Sequence, residues 1–409
     1  MRNVRKVADH IFKSVRFKPE IGIICGSGLG KLADGVKDKI TIPYTKIPNF
    51  PQTSVVGHSG NLIFGTLSGR KVVVMQGRFH MYEGYSNDTL MFTLGLEPST
   101  FRFKLHRVIT STLRCNADYF NRRHESVTAN IENVKKVAHH IQKLTSIVPE
   151  IGIICGSGLG KLADGVKDKI TIPYTKIPNF PQTSVVGHSG NLIFGTLSGR
   201  KVVVMQGRFH MYEGYSNDTV ALPIRVMKLL GVKILMVSNA AGGLNRSLKL
   251  GDFVILKDHI YLPGLGLNNI LVGPNQEEFG TRFPALSNAY DRDLRKLAVQ
   301  VAEENGFGNL VHQGVYVMNG GPCYETPAEC TMLLNMGCDV VGMSTIPEVV
   351  IARHCGIQVF AVSLVTNISV LDVESDLKPN HEEVLATGAQ RAELMQSWFE
   401  KIIEKLPKD

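Results

Sequence analysis

Arg208, His210 and Tyr212 place a guanidinium, an imidazole and a phenol at alternate positions of one short run. If residues 208–212 are extended, a period of two turns these three to one face and Phe209 and Met211 to the other. A fixed fork of N–H donors beside two polar rings suits an oxyanion lying next to a polyhydroxylated ligand. A satisfied structural histidine is the bland alternative, and the triplet weighs against it. Ser157, inside Cys155-Gly156-Ser157-Gly158-Leu159-Gly160, and Ser344, inside Met343-Ser344-Thr345, add hydroxyl donors. Their small neighbours let backbone N–H groups come close to an anion, and phosphate is the obvious guest. The same glycine run would also serve as a plain strand-to-helix turn. Its third glycine falls at 160, where a dinucleotide fingerprint needs it at 161, and no P-loop G-K-[ST] is present.

A second group of residues offers different chemistry. Glu325 follows Gly320-Gly321-Pro322 and precedes Thr326-Pro327-Ala328-Glu329, which reads as a capping box, so the acid stands at a helix start. Such a carboxylate could simply favour the positive end of that helix, worth ~0.3 to 1 kcal/mol. Asn367, at a strand end, could equally stabilise a turn. Together they offer an acceptor and a donor-acceptor amide, the complement of a heterocycle edge carrying N–H and C=O. His381, in Asn380-His381-Glu382-Glu383, opens the last helix and on its own reads as a surface residue.

These residues are scattered in sequence, so a scaffold has to gather them. From about residue 131 onward strand and helix signals alternate, the pattern of an α/β sheet covered on both faces. Strands are expected at Ile151–Cys155, Lys201–Gln206, Lys233–Ser238, Phe253–Leu256, Gly314–Met318, Val340–Gly342 and Gln358–Leu364. In open sheets of this kind ligands gather beyond the carboxyl ends of the strands. Ser157, Arg208, Asn239-Ala240-Ala241-Gly242-Gly243, Glu325, Ser344 and Asn367 all follow such ends. Thr345-Ile346-Pro347-Glu348 reads as a further capping box, and Gly337 and Gly356 mark where two helices stop.

The 409 residues are 44% hydrophobic and 20% charged, with 40 Gly and 18 Pro, which excludes collagen, coiled coil and wholesale disorder. The net charge of +9 invites a nucleic-acid reading, but it is unevenly spread. Residues 1–130 hold 19 Lys plus Arg against 9 Asp plus Glu, while the rest hold 26 against 27. That front third is itself unusual. Residues 19–89 recur without a difference at 149–219, whereas 90–130 show no sustained period. The expected organisation is a partial duplicate over 1–89, an irregular insert or linker over 90–130, and a complete domain over 131–409. The basic charge therefore lies on a copied fragment and an unpatterned spacer, and neither nucleic acid nor membrane is expected as a partner. No apolar run reaches the ~20 residues of a membrane span, and no secretory signal is expected. Seven cysteines without a C-x-x-C pair suggest neither a disulfide framework nor a zinc site, so a cytoplasmic setting is expected.

From about residue 133 to the end the chain closely resembles the trimeric class of purine nucleoside phosphorylases. The resemblance rests on Cys155-Gly156-Ser157-Gly158-Leu159-Gly160, the run Gln206 to Tyr215, Asn239-Ala240-Ala241-Gly242-Gly243-Leu244-Asn245, Gly342-Met343-Ser344-Thr345 and Asn380-His381-Glu382-Glu383, in order. It implies a three-layer αβα domain around a mixed, mostly parallel twisted sheet. It also implies that inorganic phosphate attacks C1′ of a purine ribonucleoside, releasing the base and ribose 1-phosphate, with no cofactor and no metal. Carried over by motif, the phosphate side is Ser157, His188, Arg208, His210, the backbone at Ala240, and Ser344. Tyr212, Met343 and His381 resemble ribose contacts, and Tyr324, Glu325, Thr326 and Asn367 surround the purine. His210, Glu325, Asn367 and His381 are the residues implied to act in catalysis. Phe283, in Thr281-Arg282-Phe283-Pro284, resembles an aromatic that enters a neighbouring subunit's ribose site, which implies a homotrimer.

Two departures bear on the base. Tyr324 stands where the family commonly has Phe, and Ile368 where it commonly has Lys, so inosine and guanosine are expected while adenosine is left open. Rival readings are a catalytically silent purine-binding or assembly protein, and a methylthioadenosine phosphorylase-like enzyme, which usually lacks the Glu325 and Asn367 pair. The first copy repeats Ser27, His58, Arg78, His80 and Tyr82 but has no counterpart of Glu325, Asn367, Ser344 or His381. It is not expected to fold stably or to catalyse alone, because its strands lack the remaining sheet. Residues 131–409 expressed alone are accordingly expected to be soluble and to retain the activity of the full chain; a phosphorolysis assay on both makes the comparison.

Overall fold

A strand of five residues with apolar side chains on both faces needs cover on both sides. Ile151-Gly152-Ile153-Ile154-Cys155 is such a strand, and the chain contains it twice, with different neighbours each time. The computed structural model describes residues 2–25, 29–53, 59–79, 83, 131–157, 159–185, 187–378 and 380–407. It divides into two compact units, Met1–His124 with Val272–Asn275, and Glu125–Leu271 with Gln276–Asp409. In the first unit α1 spans Arg2–Ser14, and β1 to β4 span Ile21–Cys25, Lys37–Pro43, Asn61–Leu67 and Arg70–Gln76. In the second, the strands are β5 Ile151–Cys155, β6 Lys167–Pro173, β7 Asn191–Leu197, β8 Arg200–Gln206, β9 Ile234–Gly243, β10 Phe253–Tyr261, β11 Val311–Met318, β12 Val340–Gly342 and β13 Gln358–Ile368. Its helices are α2 Ile131–Leu144, α3 Asn217–Leu230, α4 Arg292–Glu304, α5 Pro327–Asn335, α6 Ile346–His354 and α7 His381–Lys405.

The second unit is built on one mixed sheet in the order β12-β11-β10-β13-β9-β5-β8-β7-β6. Its strand pairs are five parallel and four antiparallel, so the expected parallel excess is slight. Strand β12 pairs with β11 on one side and with β9 on the other, so β9, β13, β10, β11 and β12 close into a ring. Alternation along the strands separates two cores. Ile154, Val203 and Met205 face α2, α3 and α6 through Val137, Ile141, Val226 and Val349, whereas Ile153, Val202 and Val204 face α4 and α7 through Ala298, Val301, Trp398 and Phe399. Those are the three expected layers.

All seven expected strands are present, most of them longer than expected. Strands β6 and β7 escaped sequence reading. The former opens on Lys-Asp-Lys and is mostly exposed at the sheet edge, so its apolar alternation is confined to Ile170 and Ile172. In the latter Gly195 interrupts the run for a steric reason, since a Cβ there would lie 2.4 Å from the Lys167 carbonyl oxygen, beside the register shift of β6. The capping box at Thr326 forms with Glu329, and Asn380 caps α7 by accepting from the Glu383 N–H at 2.9 Å. The one expected at Thr345 does not form. Thr345 sits at φ 77° and makes no side-chain cap, and Glu348 turns elsewhere.

The first unit forms a four-stranded sheet, β1-β4-β3-β2, with Val7 and Val15 packed beside Ile42, Tyr44 and Phe64. Its strands pair without the rest of a large sheet because β2, β3 and β4 are antiparallel neighbours in sequence. One flank is left without cover. Among the described residues β1 pairs only with β4, whereas the identical β5 pairs with both β8 and β9. Ile24 is consequently 48% exposed and Leu29 65%, against 0% for Ile154 and Leu159. The expected linker at 90–130 lies outside the described residues. Replacing Ile154 with Ala is expected to cost about 2–5 kcal/mol. The identical change at Ile24 should shift stability by less than about 0.5 kcal/mol. Denaturant unfolding of the two variants, read separately in each unit by hydrogen exchange, measures the contrast.

Candidate active site

The carboxyl ends of β5, β8, β9, β12 and β13 surround a cavity of about 340 Å³, closed on its rim by the loop after β11 and the start of α7. It is lined by Ser157, Arg208, His210, Tyr212, Ala240, Tyr324, Glu325, Met343, Ser344, Asn367 and His381, all of them expected from the sequence.

Arg208 is placed by the residue before it. Gly207 adopts φ 112°, which ends β8 in a left-handed turn, and a Cβ there would come 2.8 Å from that of His188. Phe209 then drops into the core between Tyr174 and Phe180, with ring centroids at 5.4 and 5.9 Å. Beyond it the chain leaves the expected extended path, because Met211–Glu213 form a short 3-10 helix. The Glu213 carboxylate drives this by accepting from the His210 backbone N–H at 2.8 Å and lying 3.1 Å from its Nδ1. Arg208, His210 and Tyr212 nonetheless share the cavity, through a turn rather than through strand alternation. The His210 and Tyr212 rings stack at 4.6 Å.

Arg208 is 1% exposed. Its Nε donates to Glu348 Oε1 at 3.0 Å, and its Nη1 donates to the Ser238 carbonyl and to Ser344 Oγ, each at 3.1 Å. Nη2 is buried and has no hydrogen-bond partner among the described residues. A charged donor left so is costly unless a ligand supplies the acceptor. Ser344 is itself held by Tyr316, whose hydroxyl donates to the Ser344 carbonyl at 3.1 Å. His188 lies behind this end, with Nε2 3.3 Å from Ser157 Oγ and Nδ1 3.3 Å from the Arg208 backbone. Burial, then the neighbouring His210 and Arg208, push the His188 pKa down to about 4, so the ring is neutral near pH 7. Burial pushes the Glu213 carboxyl up, but hydrogen bonds from His210 and Ser184 outweigh it and bring that pKa to about 2.

At the other end Asn319 Nδ2 donates to Glu325 Oε1. Burial, with the neighbouring Glu329, raises the Glu325 pKa. Asn367 follows a register shift in β13, and Thr366 Oγ1 lies 3.4 Å from its Oδ1. Gly242 makes room for that amide, since a Cβ there would come 3.2 Å from Asn367 Nδ2. His381 is the first residue of α7, one turn before Val384 on the same cavity wall.

Three expected residues do not line the cavity. His188 reaches it only through Ser157 and a ring stacking on His210 at 5.5 Å. Thr326 is spent on the α5 cap, and Phe283 stands 61% exposed. In the first copy Arg78 is described, while Ser27, His58, His80 and Tyr82 lie outside the described residues. Sequence reading passed over Glu213, Asn319, Thr366 and Glu348. Glu213 was legible three residues after His210, and Glu348 was read as a capping acid. Among the described residues no group of His, Cys, Asp and Glu could hold a metal ion, and no helix is long and apolar enough to cross a membrane.

The phosphorylase superfamily model matches residues 150–404. Purine nucleoside phosphorylase from Bos taurus is 49% identical over 276 residues, covering 68% of this chain and 96% of its own. The chain belongs to the purine nucleoside phosphorylase family. Two crystal structures of the Schistosoma mansoni purine nucleoside phosphorylase, one with inosine and one with adenosine, are each 98% identical with a TM-score of 0.68. They cover 70% and 69% of this chain respectively and 100% of their own. The family match thus falls on the second unit and its cavity.

His188 binds its proton less tightly folded than unfolded, so its contribution to stability is complete above its ordinary value of 6.5 and is lost as pH falls toward about 4. Glu213 loses its own contribution lower, as pH falls from 4.5 to about 2. Thermal melts of a His188→Asn variant are therefore expected to be flatter with pH than the wild type between 6.5 and 4, and unaltered in slope below that window.

Proposed function

We propose a division of labour for the phosphorolysis of purine ribonucleosides, the reaction this chain carries out. Inorganic phosphate sits at the Arg208 end, among Ser157, His210, Ser344 and the Ala240 backbone, with His188 behind them. The nucleoside spans the cavity, its ribose against Tyr212, Met343 and His381 and its purine against Tyr324, Glu325 and Asn367. A phosphate oxygen forms the bond to C1′ as the bond from C1′ to N9 breaks, and the bonding pair leaves with the base. Such a displacement passes through an oxocarbenium-like sugar. Catalysis then consists of holding the anion below the ring and accepting charge on the departing purine. Phosphate is the only co-substrate required, with no other cofactor. The single observation that carries this reading is the buried, unpartnered Nη2 of Arg208 in the same cavity as Glu325 and Asn367.

Asn367 donates to N7 as it gains electron density. Glu325, one oxygen taken by Asn319, accepts from N1–H of a 6-oxopurine as a carboxylate. An adenine N1 is instead an acceptor, and the same side chain meets it only when protonated. Burial raises the Glu325 pKa and so favours that form, and the Schistosoma protein that binds adenosine is 98% identical. The exposed Phe283 supports a homotrimer in which that ring completes a neighbour's ribose site. Phosphate-dependent loss of inosine by the purified full chain tests the reaction, and tight base binding without turnover would leave only a binding protein. Glu325→Ala is expected to lower kcat/KM for inosine about a hundredfold, and less for adenosine. In the wild type, the adenosine-to-inosine ratio of kcat/KM should rise as pH falls; a pH-independent ratio counts against the protonated form.

A further inference from the structure

Glu348 is 5% exposed, belongs to none of the motifs that imply the site, and makes a buried ion pair with Arg208 at 3.0 Å. Its availability follows from a local distortion. Thr345, fully buried and β-branched, holds φ 77° and ψ −50° just before α6, a conformation such residues rarely adopt. Its hydroxyl accepts from Asn239 Nδ2 at 2.9 Å instead of capping the helix. The acid in the first turn of α6 is thereby released from the reciprocal capping bond and reaches Arg208.

We propose that Glu348 is a positioning residue for the anion, one that fixes the Arg208 guanidinium so that Nη2 alone remains to meet phosphate. The inference rests on the phosphate reading above. Glu348 accepts from Nε–H, and the Ser238 carbonyl and Ser344 Oγ accept from Nη1. Three acceptors on two nitrogens hold a planar group against rotation, and the one on Nε comes from Glu348. Without it the guanidinium loses one of its three fixed acceptors and is free to turn, so Nη2 no longer stands where the oxyanion binds, and Nε–H is left buried without an acceptor.

Glu348→Ala is expected to raise the phosphate KM at least ~tenfold, the loss of one charge-assisted contact, with the nucleoside KM within ~twofold of wild type. Glu348→Gln keeps an oxygen for Nε–H and should restore most of the phosphate KM. Glu348→Asp keeps the charge but draws it back, and should remain impaired. A role confined to folding would lower the active fraction and leave both KM values alone, which would overturn the proposal. It would also be overturned by both KM values rising together, or by Gln being impaired and Asp not. Should the Ala variant fail to fold, the Gln and Asp pair decides by the same criterion. The wild-type assay stands apart, because absence of phosphate-dependent turnover there would sink the phosphate reading rather than the role of Glu348.

Discussion

A guanidinium almost wholly out of water must have every partner built around it, and Arg208 imposes that demand on the whole second unit. Its partners come from the middle of β9 through Ser238, from the turn after β12 through Ser344, and from α6 through Glu348. The last two are neighbours in sequence, but both are far from Ser238 and from Arg208 itself. They meet because β12 pairs with β11 on one side and antiparallel with β9 on the other, which lays the residues after β12 back along β9. The cavity is therefore a by-product of sheet closure, and the one donor left over on Arg208 marks its anion end.

The duplicated segment separates propensity from context. Ile21–Cys25 and Ile151–Cys155 are the same five residues, and both are strands paired in parallel with the same partner sequence. Among the described residues only the second has a strand, β9, on its other edge, and the same side chains are largely exposed in the first and wholly buried in the second. Local preference and hairpin contacts suffice to form the strand. Burial, and with it most of the hydrophobic stabilisation, depends on β9, α7 and the larger part of α3, which belong to sequence that was not duplicated.

Much of this was legible beforehand. Seven strands, the caps at Thr326 and Asn380, and most of the eleven lining residues follow from apolar runs, cap chemistry and residues at strand ends, while Tyr324, Met343 and His381 follow from the family resemblance. The failures have physical causes. Strand β6 lies at an edge, where alternation is confined to Ile170 and Ile172. The run 208–212 alternates like a strand, yet the Glu213 carboxylate bends it into a helical turn while keeping its polar side chains together. At Thr345 a sound capping signal was overridden because Asn239 takes the hydroxyl and Arg208 takes the acid.

From its residue types alone the chain determined that it would bind an anion beside a heterocycle, since Arg, Ser, Glu and Asn side chains at strand ends have the donors and acceptors to do so. Tertiary structure decided which donors were left unspent. Hydrogen-bond capacity belongs to a residue, but whether that capacity is used up depends on neighbours that the fold turns toward it, from 6 positions away for Asn319 and Glu325 to 140 for Arg208 and Glu348. The roles of Glu348 and Asn319 are visible only there, because neither belongs to the motifs that imply the site and each acts by consuming one atom of a residue that does.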